Sequence, residues 1–115
     1  MAYGHPPEHV TKMPALSEYS NVYNTALLIL KQKGFQVWFD ESTDLFGAEK
    51  DGWDFLADTP CGLLGVVAIF EHTQPSEYRE YWWREQGEDL YSNLPRQPRP
   101  YTPVWKKRRA RWRGS

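Results

Sequence analysis

Gly34-Phe35-Gln36-Val37-Trp38-Phe39-Asp40 is where the period of the chain changes. Upstream, Leu16, Tyr19, Tyr23, Ala26, Leu27 and Leu30 recur at steps of three and four, the spacing of one helical face from about Pro14 to Lys33. Ser17 can accept from first-turn amides, and Lys31 and Lys33 suit the negative end of the helix dipole. Gly34 stands where a left-handed residue ends a helix. From Phe35 onward the residues alternate instead. Phe35, Val37 and Phe39 point one way and Gln36, Trp38 and Asp40 the other, as in a half-buried strand.

Glu41 to Gly47 reads as a turn, and a second strand is expected over Trp53 to Ala57, with Gly52 marking a bulge or bend on the way in. Two strands so close in sequence pair most simply as an antiparallel hairpin. Asp58-Thr59-Pro60 is a helix-start signal, a capping side chain followed by proline at the first helical position. The start signal favours a helix over Cys61 to His72, although Val66, Val67 and Ile69 would equally suit a buried strand. A further helix is expected from Ser76 to about Gln86, striped by Tyr78, Tyr81 and Trp82 and closed by Gly87. Of the adjacent Trp82 and Trp83, one must lie at the surface or under the segment 95–103. Pro95, Pro98, Pro100 and Pro103 then impose extended backbone.

The expected fold class is therefore α+β: a long N-terminal helix, a short antiparallel hairpin or small sheet, two further helices, and an extended proline-rich C-terminal strap. Its parts are a loose arm over 1–13, a single domain over 14–94, the strap over 95–105 and a basic tail over 106–115.

Charge is distributed unevenly along this plan. Lys106, Lys107, Arg108, Arg109, Arg111 and Arg113 are six of the fourteen basic residues, so residues 1–105 hold eight basic against fifteen acidic residues, a net of −7. Residues 40–58 alone sum to −6, because Asp40, Glu41, Asp44, Glu49, Asp51, Asp54 and Asp58 stand against Lys50 only. A chain of 115 residues forms one domain at most, burying roughly 65% of its unfolded surface. Eighteen aromatic residues suffice for a core. One cysteine, Cys61, excludes an internal disulfide and fits a reducing compartment. No basic-then-apolar leader opens the chain, and the longest apolar run, Leu63 to Phe70, is far short of the roughly 20 residues of a membrane span. A cytoplasmic protein without a membrane span is expected.

The acidic hairpin is the first candidate site. Asp40, Glu41 and Asp44 at its turn, with Glu49, Asp51 and Asp54 on the return strand, would present carboxylates along one edge. Trp38 and Trp53 would supply rigid contact surface among them. Aromatic anchors ringed by one sign of charge suit an interface with a basic protein. A solvated loop shielding strand edges is the plain reading of the same residues. The second candidate is the tail, where Lys106, Lys107, Arg108, Arg109, Arg111 and Arg113 with Trp112 could neutralise phosphates and stack on a base. A disordered solubilising end, or a counter-charge folded back on the acidic body, is the plain reading of the same run.

No metal or cofactor is expected. Asp40, Asp44 and Glu49 miss the calcium-loop spacing, and His5-Pro6-Pro7-Glu8-His9 imitates a zinc motif that needs a helix its prolines forbid. Cys61 and His72, eleven residues apart on a helix, would be separated by some 16 Å, too far for a dyad. Nothing else in the chain signals catalysis, although a carboxylate pair in the acidic hairpin would serve an enzyme if it lined a pocket.

Gly34-Phe35-Gln36-Val37-Trp38, Ala48-Glu49-Lys50-Asp51-Gly52-Trp53-Asp54-Phe55, Leu63-Leu64-Gly65-Val66-Val67 and Tyr78-Arg79-Glu80-Tyr81-Trp82-Trp83 together resemble the small immunity proteins that protect bacteria from their own polymorphic or contact-dependent toxins. The likeness covers under half the chain. It implies a compact, cytoplasmic, non-enzymatic protein whose acidic surface plugs a toxin with a basic active site. The Arg-rich tail departs from that pattern. The function expected is neutralisation of a cognate toxin or other basic protein, and the rival is a nucleic-acid-associated adaptor working through the tail.

Overall fold

The computed structural model describes residues 15–98. The described residues divide into two units, residues 18–86 and the set 15–17 with 87–98. In the first, a 3-10 turn over Ser20–Val22 runs into helix α1, Tyr23–Gln32. Strands β1 (Gln36–Asp40), β2 (Leu45–Lys50) and β3 (Trp53–Ala57) form an antiparallel sheet in the order β1-β2-β3, and helix α2 spans Pro60–Thr73. In the second unit a 3-10 turn over Tyr91–Asn93 is held by Asp89, whose carboxylate accepts from the Ser92 amide at 3.2 Å.

This arrangement corrects the expected one at three points. The N-terminal helix is short. Residues 15–19 make no helical turn, and α1 contributes only Ala26 and Leu30 as fully buried side chains. The sheet has three strands, because Leu45–Lys50, half assigned to a turn, is its central strand. One helix, not two, follows the sheet. Residues 76–86 form successive tight turns, with the Trp82 amide donating to the Arg79 carbonyl and the Arg84 amide to the Tyr81 carbonyl, both at 3.0 Å. Tyr81 takes φ 61°, a left-handed conformation that no helix continues through. Four aromatics in that segment, Tyr78, Tyr81, Trp82 and Trp83, carry the χ1 cost that makes such residues indifferent helix formers.

The two connections within the sheet are tight. In the four-residue loop Glu41–Asp44, the Thr43 and Asp44 amides donate to the Asp40 carbonyl at 3.2 and 2.8 Å, and Asp44 takes φ 60°. Between β2 and β3 lie only Asp51 and Gly52, at φ 52° and 87°. Two positive φ values in a two-residue loop are what a type I′ turn requires, and Asp-Gly is a preferred pair for it.

Both helices lie on one face of the sheet. Leu30, Phe35, Ala48, Phe55, Leu63 and Val67 form the buried core, with Val37, Phe46, Trp53, Ala57, Leu64, Val66, Phe70 and Trp82 around it. The aromatics interlock edge to face: Phe35 on Phe55, Phe55 on Phe70, Trp53 on Trp82, with ring centroids 5.1 to 5.9 Å apart. Thr59 caps α2, its Oγ1 accepting from the Gly62 amide at 2.9 Å and donating to Glu18 at 2.7 Å. Lys50 Nζ donates to the Lys33 carbonyl at 2.7 Å and so joins the end of α1 to the end of β2. Lys33 Nζ in turn meets Glu71 on α2 at 3.1 Å.

Candidate functional site: the open face of the sheet

Strand alternation and the cross-strand register together decide what the other face of the sheet carries. Three rows cross it. Gln36 stands opposite Glu49 and Glu49 opposite Asp54; Trp38 stands opposite Gly47 and Gly47 opposite Leu56; Asp40 stands opposite Leu45. The middle row is apolar and accessible, with Trp38 40% and Leu56 55% exposed. The Trp38 indole lies across Gly47, in the space a side chain there would fill. A Cβ on Gly47 would fall 2.3 Å from Trp38 Cε2, 2.4 Å from Cζ2 and 2.6 Å from Nε1. Glycine at this position is what lets the ring settle on the sheet.

The carboxylates frame that strip in two groups. Asp40, Glu41 and Asp44 are at the β1–β2 end, where Asp58 also emerges, since Ala57 pairs with Phe46. Glu49, Asp51 and Asp54 are at the β2–β3 end. The six residues of β2 separate the groups by about 17 Å. The single acidic edge expected from a two-stranded hairpin is thus replaced by two acidic borders. Trp53 leaves the site altogether: it lies on the helix side, its ring 5.1 Å from that of Phe70. The sequence reading missed Leu45, Gly47 and Leu56. The signal for the last was present in the adjacent apolar pair Phe55-Leu56, which a strand must divide between its two faces.

Some of these acids also shape the turns. Glu49 Oε2 accepts from the Gly52 amide at 2.8 Å. Asp40 Oδ1 accepts from the Ser42 hydroxyl at 2.7 Å and the Ser42 amide at 2.9 Å, and these bonds hold its carboxyl below the usual value of 3.8. A depressed folded value means stability that is present above pH 3.8 and lost as pH falls through the lower folded value. Ser42→Ala, which removes the stronger of the two influences, should therefore reduce the loss of stability on acidification. The check is urea unfolding of both proteins at neutral pH and at about pH 3. Equal losses in the two would contradict this account of Asp40.

Among the described residues, no ion pair involves any of the acids on the two borders, and no group of three or more His, Cys, Asp or Glu could hold a metal ion. No described helix is long and apolar enough to cross a membrane. Burial pushes the Cys61 thiol up, with the charge of Glu18 adding to it, so thiolate is disfavoured there. On the helix side, Phe55, Val66, Ile69, Trp82 and Trp83 line an apolar cleft of about 230 Å³. The arm over 1–13 with its His5–His9 motif, most of the strap over 95–105, and the basic tail with Lys106 to Arg113 lie outside the described residues. Comparison of the chain with protein-family models, curated proteins and solved structures found no match.

Proposed function

We propose that this chain is a non-enzymatic binding protein of the cytoplasm that neutralises a basic partner protein through the open face of its sheet. The carrying observation is the exposed pair Trp38 and Leu56 on either side of Gly47, with half-buried Leu45 in the next row, flanked towards both strand ends by carboxylates that no described basic side chain pairs with. An accessible aromatic anchor at the centre of a patch, with charge at its rim, is the anatomy of a protein interface: the centre supplies affinity and the rim steers encounter. The resemblance to immunity proteins supports a bacterial toxin with a basic active site as that partner.

Affinity capture from lysate of the source cells, with and without nuclease treatment and with the full chain beside one ending at Trp105, identifies what is held. Nucleic acid retained by the full chain alone would transfer the function to the tail. With a protein partner in hand, association is followed by stopped flow at low salt. Glu41→Lys, Asp54→Lys and Asp58→Lys together should slow it at least tenfold, because dense charge accelerates encounter and these three side chains make no hydrogen bond among the described residues. An unchanged on-rate would remove the steering claim.

A further inference from the structure

We infer that the open face receives an arginine of the partner in preference to a lysine, its guanidinium laid on the Trp38 indole and forked toward Glu49 and Asp54. This deepens the proposed function and rests on it. One side of the indole is against Gly47, which leaves the other to face solvent. Glu49 and Asp54 occupy directly opposed positions in the neighbouring row. Opposed side chains start roughly 5 Å apart at Cβ, and successive same-face rows lie roughly 7 Å apart. The two carboxylates are thus within one long side chain's reach of the ring.

Like charges directly opposed across a ladder are destabilising, and no basic side chain among the described residues pairs with either of these two. Lys50, their neighbour in sequence, points to the other face, where its ammonium bonds the Lys33 carbonyl and lies 5.4 Å from the Phe35 ring centre. Glu49 has one oxygen engaged by the Gly52 amide, which fixes the carboxylate and leaves the other oxygen for a partner. A single group that stacks flat on an aromatic ring while offering parallel N–H donors at its edge is a guanidinium. An ammonium is a compact point charge that cannot do both in one geometry. The chain uses the same stacking elsewhere: Arg84 lies 4.4 Å from the Tyr81 ring centre and 5.7 Å from that of Trp83.

The test uses the full chain and two short Gly/Ser peptides of equal charge, one bearing arginines and the other lysines at the same positions. Binding is followed at low salt by NMR of the Trp38 Nε1–H and the Glu49 and Asp54 amides. The arginine peptide should bind at least about threefold tighter. Trp38→Leu, which keeps the strip apolar, should bring it down to the level of the lysine peptide. Equal affinity for the two peptides, or a preference that survives Trp38→Leu, overturns the arginine assignment and leaves the basic-partner reading standing. If neither peptide perturbs these signals while other parts of the chain respond, both fall.

Discussion

Truncating Trp82 to alanine is expected to lower the unfolding free energy by about 3 kcal/mol, while the same change at Trp83 should cost under about 1 kcal/mol. The two are neighbours in sequence and opposite in role. Trp82 packs its ring 5.5 Å from Trp53 and 5.9 Å from Phe70, so it closes the end of the core between β3 and α2. Trp83 is 48% exposed and, among the described residues, stacks on Tyr81 at 6.0 Å and under Arg84. Trp82 is partly buried, which places its cost at the lower end of the range for tryptophan truncation. Against a total of about 5–15 kcal/mol for a small domain, a loss of that size is large. Urea unfolding monitored by far-UV dichroism gives both values and also the slope. A loss at Tyr81→Ala as large as at Trp82 would mean that residues 76–86 present a helical stripe to the core after all, and equal losses at Trp82 and Trp83 would overturn the division of roles between them.

That contrast also shows what could be read from the residues before the fold was known. The switch of period at Gly34, the strand over 36–40, the strand over 53–57 and the Asp58-Thr59-Pro60 helix start are local signals, and each corresponds to a feature of the chain. The central strand gave no such signal. Leu45-Phe46-Gly47-Ala48-Glu49-Lys50 has no β-branched residue and contains four residues of types that strands disfavour, Gly47 and Ala48 at its centre. Their reasons are tertiary: Gly47 makes room for the Trp38 ring, and Ala48 is fully buried under the helices. Missing that strand merged two hairpins into one, which placed all six carboxylates on one edge and put Trp53 among them. Asp51-Gly52 held the correction, since a type I′ pair implies a strand on each side of it. The helix read over 76–86 failed for a different reason. Its apparent stripe was three aromatics, of which only Trp82 has a place in the core; Tyr78 is 73% and Tyr81 53% exposed.

Gly47→Ala is expected to weaken partner binding about thirtyfold without altering any residue that the partner touches. One methyl group at Gly47 would stand within 2.6 Å of three atoms of the Trp38 indole, a separation no pair of carbons tolerates. Something must move. β2 is hydrogen-bonded on both sides and pinned beneath by Ala48, which is 0% exposed, whereas Trp38 has solvent on its outer side. The ring therefore lifts off the sheet and the strand stays. Folding should suffer little, by about 1–2 kcal/mol for the displaced ring, offset in part by the better strand propensity of alanine over glycine. Binding should suffer as in Trp38→Ala, because a central aromatic anchor is commonly worth 2 kcal/mol or more. The double variant distinguishes displacement from general damage. In a Trp38→Ala background the clash is gone, so Gly47→Ala should become neutral or slightly stabilising and should cost no further affinity. Calorimetric titration with the identified partner and urea unfolding of the four proteins complete the cycle. Additive losses in either would show that Gly47 acts through the strand and not through the indole that rests on it.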